Sequence, residues 1–281
     1  MISSQVWATA ARGPPREQGG TVAGRKLGFW RRLAVLLVLP GMSLWTKRTW
    51  TGMENLPPGG GFIVTPNHMS QFDPLLVAHY IYASGRWPRF LAKASIWRVP
   101  FVGFMLRKTQ QIPVERGSVE AVKSLDSLIE ALHQNGVVVI YPEGTTTREP
   151  GLWPMRGKTG AARLALVTGA PVVPMATWGA QRVHDVRTGK ISLGRRVPVQ
   201  VSVGKPADLG RWLGEAPTRA VLEQMTEAIQ LATRDLLAEL RDEEPPPLYE
   251  VTRRHWRTEA GGVSEHGEPG EDHDEMRDGG T

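Results

Sequence analysis

Residues 137–141 read Val-Val-Val-Ile-Tyr: four β-branched apolar side chains and an aromatic ring in succession, with Asn135-Gly136 before them and Pro142 after. A strand sends alternate side chains to opposite faces, so a run that is apolar at every position needs both faces of its sheet covered. Phe62-Ile63-Val64, after three glycines, makes the same demand. The cover is available in sequence. Residues 118–135 place Val122, Leu125, Leu128, Ile129 and Leu132 on one helical face and stop at Asn135-Gly136. Residues 158–168 read as a helix ending at Gly169, and 217–240 as a last helix carrying Leu222, Met225, Ile229, Leu236 and Leu240. Further strands are predicted at 89–93, 109–115 and 172–178, with a short apolar helix at 101–106. Val197, Val199, Val201 and Val203 alternate as in a half-exposed strand. This order predicts an α/β fold, a central, largely parallel mixed sheet flanked by helices.

At 281 residues, with no repeat or linker dividing the middle, the chain suits one domain with appended ends. Residues 1–24 have no periodicity and are expected to be disordered. Residues 25–52 form a basic and aromatic segment, 53–241 the globular domain and 242–281 an acidic, glycine-rich, disordered tail. The net charge of +6 divides unevenly. The tail holds twelve acidic residues against four arginines, leaving 30 basic against 16 acidic in the first 241 residues. A body so basic favours anionic partners. Cysteine does not occur, which excludes disulfides, thiolate nucleophiles and cysteine-based zinc sites.

In the 25–52 segment, Arg25, Lys26, Arg31 and Arg32 precede an apolar run, Lys47 and Arg48 follow it, and Trp30, Trp45 and Trp50 are interleaved. The run from Leu33 to Trp45, interrupted by Pro40-Gly41, falls short of the ~20 residues that span a bilayer. It suits a helical segment lying at the interface, with cations toward anionic lipid and indoles at headgroup level; the competing reading is a core helix.

The chemistry centres on the polar link after residues 62–64. His68 can exchange a proton near neutral pH, and Asp73, five residues on, can fix its tautomer and stabilise its charged form. Asp73 before Pro74 equally suits a helix N-cap. Neither Gly-x-Ser-x-Gly nor metal-ligand spacing occurs, and Gly151 stands one residue too far from Gly157-Lys158-Thr159 for a P-loop.

Four ordered blocks, Asn67-His68-x-x-x-x-Asp73, Ile112-Pro113-Val114-Glu115-Arg116, Tyr141-Pro142-Glu143-Gly144-Thr145 and Pro171-Val172-Val173-Pro174, resemble those of the glycerolipid acyltransferases, lysophosphatidic acid acyltransferase type. The resemblance spans roughly residues 45–205. It implies acyl transfer from acyl-CoA or acyl-carrier protein, as co-substrate, to the free hydroxyl of 1-acylglycerol 3-phosphate in phospholipid biosynthesis. It implies no covalent enzyme intermediate, and neither a metal nor another cofactor is expected. It makes His68 the general base and Asp73 its orienting partner. Arg116 is then expected on the acceptor phosphate, with Glu143, Gly144, Thr145 and Arg148. The family's arginine directly after the threonine is replaced here by Thr146, Thr147 and then Arg148. Arg156 and Lys158, just before a helix, are candidate contacts for donor or acceptor phosphates. The expected location is the cytoplasmic face of the cell membrane, monotopic or peripheral, on anionic lipid. Rival acceptors are another lysophospholipid, glycerol 3-phosphate or a lyso-aminolipid. A rival of another class is a non-catalytic basic protein binding membrane or nucleic acid. Nucleic acid is not expected, because the basic residues form no single stripe.

Overall fold

The computed structural model describes residues 28–114, 120–192, 194 and 196–250. Helix α1 (Phe29–Trp45) leads into strand β1 (Thr46–Thr51). There follow β2 (Phe62–Pro66), α2 (Asp73–Ala83), β3 (Pro88–Lys93), α3 (Pro100–Lys108), β4 (Ile112–Val114), α4 (Glu120–His133) and β5 (Val137–Val139). The last elements are α5 (Gly160–Thr168), β6 (Val172–Trp178), β7 (Val197–Val203) and α6 (Arg219–Arg241).

The seven strands form one sheet in the order β1-β7-β6-β2-β5-β3-β4, parallel except where β7 runs against β6. The two apolar runs, residues 62–64 and 137–139, are neighbours in its middle, with Ile63 opposite Val138 on one side and Val172 on the other. Their side chains divide between two cores. Phe62, Val64, Val137 and Val139 pack with Leu76, Val77, Tyr80 and Ile81 of α2. Ile63, Val138 and Val172 pack with residues of α4, α5 and α6, among them Leu132, Leu164 and Ile229. Each such fully buried side chain contributes about 1.5–3 kcal/mol.

Helix boundaries follow local chemistry. The side chain of Thr218 accepts from the Val221 N–H at the start of α6, and Asp242 ends it in the left-handed region. Asn135 adopts φ 57° after α4, and a Cβ on Gly136 would stand 2.5 Å from the Ala131 carbonyl oxygen, so the predicted stop is steric.

Several expectations need correction. Residues 46–51, grouped by sequence with the interfacial segment, form the edge strand β1 beside β7. Its polar side chains are tolerated because all but Thr46 are exposed or only half-covered. Helix α1 runs unbroken through Pro40, whose missing N–H falls on the exposed side of the helix. The strand expected at 109–115 is only three residues long, since Thr109 closes α3. Tyr249 forms a bridge with Met155, so ordered chain continues past residue 242. The disorder expected of residues 1–24, the rest of the acidic tail and residues 115–119, including Arg116, lie outside the described residues.

Candidate active site

Strand β2 ends at Pro66, and the chain turns through residues 67–72 at the carboxyl edge of the sheet before α2 begins. This turn is held from three directions. Asn67, 2% exposed, donates from Nδ2 to the Thr177 carbonyl (3.2 Å) and accepts the Thr177 N–H on Oδ1 (2.7 Å), which ties it to the end of β6. Ser70 donates its hydroxyl to the His184 carbonyl (2.7 Å). The His68 main chain is gripped on both sides: its N–H donates to Glu143 Oε1 (2.8 Å), and its carbonyl accepts the Thr147 N–H (2.6 Å). The first and third blocks are therefore locked together.

Asp73 has no exposed surface. Its Oδ2 lies 3.1 Å from His68 Nδ1 and accepts the N–H groups of Met69 (2.7 Å) and Ser70 (2.8 Å). Its Oδ1 lies 3.3 Å from the Thr177 hydroxyl. The N-cap reading of Asp73 is thus overturned. The carboxylate turns back onto the loop, Phe72 occupies the cap position without a side-chain bond, and Pro74 covers the first turn. A carboxylate only accepts, so Nδ1 carries the imidazole proton and Nε2 keeps the lone pair. The His68 side chain is 17% exposed, open enough to meet a hydroxyl.

Beside the dyad, the Tyr141 ring packs on the His68 ring with centroids 4.3 Å apart. Its hydroxyl is buried and has no hydrogen-bond partner among the described residues. Burial first, and the charges of Asp73 and Glu143 next, push that phenol well above its usual range. Glu143, expected on the acceptor, is turned inward at 4% exposure. Its second oxygen accepts the Met155 N–H (3.1 Å). Burial pushes its carboxyl up to about 8; the bonds from His68 and Met155 pull down and Asp73 pushes up. This carboxyl holds the histidine loop to the segment around Met155 that follows the third block.

The departure in the third block now has a structural account. Thr147, 6% exposed, holds the His68 carbonyl by its N–H, donates its hydroxyl to the Trp153 carbonyl (2.6 Å) and accepts the Glu149 N–H (3.2 Å). Arg148 is half-buried behind it, its N–H on Met155 Sδ (3.1 Å). Gly144 adopts φ 69°, and the Lys158 side chain passes where its Cβ would stand, with methylene carbons 3.3 Å away. Thr145 is half-buried beside it. Lys158 is therefore next to the third block, whereas Arg156 points to Glu227 (3.7 Å) and Glu250 (3.4 Å). Sequence reasoning missed Thr177, Thr147 and the phenol of Tyr141. An alternative signal for Thr177 was its place at the end of a buried strand, as for Asn67.

Residues 47–178 match the family model for acyltransferases. The chain is 32% identical over 141 residues to the 1-acyl-sn-glycerol-3-phosphate acyltransferase of Borreliella burgdorferi, an alignment covering 49% of this chain and 54% of that one. It is 27% identical to the protein of the same name from Bacillus subtilis, covering 65% of this chain and 84% of the relative. It therefore spans about half the length of the first of these relatives. The crystal structure of the 1-acyl-sn-glycerophosphate acyltransferase of Thermotoga maritima has the same fold: TM-score 0.51 at 24% identity, over 78% of this chain and 79% of that one.

Proposed function

We propose that this chain, whose residues 47–178 match the acyltransferase family model, transfers a fatty acyl group to the free hydroxyl of 1-acylglycerol 3-phosphate, giving phosphatidic acid. The donor is acyl-CoA or acyl-carrier protein. The observation that carries this reading is the buried Asp73 carboxylate on His68 Nδ1, at the end of a loop tied down by Asn67, Ser70 and Glu143.

His68 Nε2 takes the proton of the acceptor hydroxyl as its oxygen attacks the thioester carbonyl carbon. The tetrahedral intermediate collapses with cleavage of the C–S bond, and the proton held by His68 leaves on the thiol. Asp73 stabilises the imidazolium between the two transfers. A base so placed contributes on the order of 10²–10⁴ in rate, and positioning supplies the rest. Arg116 takes the acceptor phosphate, since a guanidinium offers two parallel donors and stays charged. Gly144, Thr145, Arg148 and Lys158 are assigned to the same acceptor, and Glu143 serves it indirectly by fixing the loop. Helix α1 rests on anionic lipid at the cytoplasmic face of the membrane, so that donor and acceptor meet at the interface.

The test is transfer of labelled acyl groups from acyl-CoA and acyl-carrier protein to a panel of lyso-acceptors in mixed micelles. His68→Ala is expected to abolish turnover of lysophosphatidic acid, and Arg116→Ala to raise acceptor KM above all. Turnover confined to a phosphate-free acceptor refutes the Arg116 assignment. Turnover indifferent to His68→Ala refutes the mechanism.

A further inference from the structure

Twelve large apolar side chains are exposed among the described residues, and nine of them fall in two short stretches. Five lie on α1, including Leu36 at 70% and Leu44 at 60%. The other four, Ile96, Val99, Phe101 and Val102, lie where the 3-10 turn Ala94–Arg98 meets the first turn of α3. This second stretch is far from α1 in sequence. Helices α1 and α3 touch nonetheless: the Trp30 ring meets the Phe104 ring edge-on at 4.9 Å, and Lys108 Nζ stands 5.6 Å from the centroid of each.

The sheet topology gives the arrangement a direction. Strand β3 is parallel to β5 and β5 to β2, so the turn after β3 leaves the same sheet edge as His68, about 10 Å to the side at ordinary strand spacing. Strand β1 is parallel to β7, and β7 antiparallel to β6, so β1 starts at that edge and α1 ends there. In the order β1-β7-β6-β2-β5-β3-β4, the end of α1 at β1 and the turn after β3 lie on opposite sides of β2. Leu75, two residues after Asp73, is exposed as well.

Charge selects the occupant. Residues 28–114 hold ten Lys or Arg and two acidic residues, of which Asp73 is buried. Lys93 and Arg98, both exposed, stand on either side of Ile96. A protein interface depletes charge around its apolar centre, whereas a surface seated in anionic headgroups combines apolar side chains with cations. The turn is also closely packed, since a Cβ on Gly103 would stand 2.1 Å from the Trp97 carbonyl oxygen, so the two segments meet backbone to backbone. A preformed apolar projection loses little conformational freedom on insertion.

We infer that the turn and first helical residues spanning Ile96 to Val102 form a second lipid-inserting element, which with α1 seats the carboxyl edge of the sheet on an anionic bilayer and presents His68 to acceptors at headgroup depth. This inference rests on the interfacial reading of α1. It adds a separate contact that fixes the tilt of the domain, where α1 alone would leave it free to pivot.

The chain has no cysteine, so a single Phe101→Cys or Ile96→Cys change carries an environment-sensitive fluorophore without background. The full chain is mixed with vesicles of phosphatidylcholine, with and without phosphatidylglycerol. Both labels are expected to shift to the blue with phosphatidylglycerol present, and a label at Leu213, exposed at the opposite edge of the sheet, to stay unchanged. Phe101→Ser combined with Val102→Ser should lower co-sedimentation roughly tenfold, as expected on withdrawing large apolar side chains from lipid. Turnover in detergent micelles should be kept, which shows that the variant folds. If Leu36→Ser with Leu37→Ser releases the protein while the Phe101 and Val102 changes do not, and their labels stay silent, the second element is refuted and α1 stands. If the wild type ignores both kinds of vesicle, both readings fail. If the Phe101 and Val102 changes dissociate a dimer and leave vesicle binding intact, a second copy covers this surface and the inference is overturned.

Discussion

Glu143→Gln tests the link between burial and the histidine loop. In the folded protein the Glu143 carboxyl sits at 4% exposure with an acidity near 8, against an ordinary value of 4.5. The folded state therefore holds a proton across this interval that the unfolded chain has released. The folded value is raised, so stability is highest on the acid side, falls as pH rises from about 4.5, and levels off above about 8. At about 1.4 kcal/mol per unit, the wild type loses about 2 kcal/mol from this group between about pH 6 and pH 8, or about 4–8 °C in Tm for a domain of this size. The glutamine variant holds no titrating proton there. It carries instead a roughly constant penalty of about 1–3 kcal/mol, because its NH2 group faces either the His68 or the Met155 N–H and leaves that donor without an acceptor. Thermal melts of both proteins across this range, in matched ionic strength, should show the gap between them narrowing by about 2 kcal/mol from acid to base. Parallel profiles would refute a buried carboxyl protonated near neutrality.

Asp73→Asn keeps the shape, and its amide oxygen can still accept the Met69 and Ser70 N–H groups with the NH2 turned to the Thr177 hydroxyl, but it removes the charge facing His68, so kcat should fall about a hundredfold or more with acceptor KM little changed, as steady-state assays will show. Thr177→Val removes the hydroxyl that lies 3.3 Å from both Asn67 Oδ1 and Asp73 Oδ1, and should cost about 1–3 kcal/mol in unfolding measurements together with several-fold in kcat; Thr177→Ser should restore both. The guanidinium of Arg241 lies between the Trp153 and Trp178 rings, 4.0 and 4.4 Å from their centroids. Arg241→Ala should lower stability by about 2 kcal/mol by thermal melting, with a smaller loss for Arg241→Lys, which keeps the charge and loses the planar stacking.

What the sequence determined by itself is the layered α/β arrangement and the place of His68. Runs such as Val137–Val139 and Phe62-Ile63-Val64 have no polar side chain to offer water, so burial on both faces is written into them locally. The face of α4, its stop at Asn135-Gly136 and the position of His68 just past a buried strand follow from spacing alone. Strand β1 carried a weaker signal. Thr46-Lys47-Arg48-Thr49-Trp50-Thr51 alternates as a half-covered strand does, but basic residues flanking an apolar helix suit a membrane interface equally well, and only β7 beside it decides.

Tertiary structure alone decided which polar groups meet. Asp73 caps its own helix or turns back to His68 according to whether Thr177 and the Met69 and Ser70 amides surround it, and Thr177 arrives from 104 residues away. Glu143 looks like an acceptor ligand in sequence and is an internal clamp in the fold, because the His68 and Met155 amides lie where its oxygens point. Thr147 looks like an insertion and holds the histidine carbonyl. Apolar burial depends on the pattern along one segment, which local sequence records. A hydrogen bond depends on distance and angle between segments, and these are fixed by the parallel register of β2 with β5 and β6, which no single stretch of chain contains.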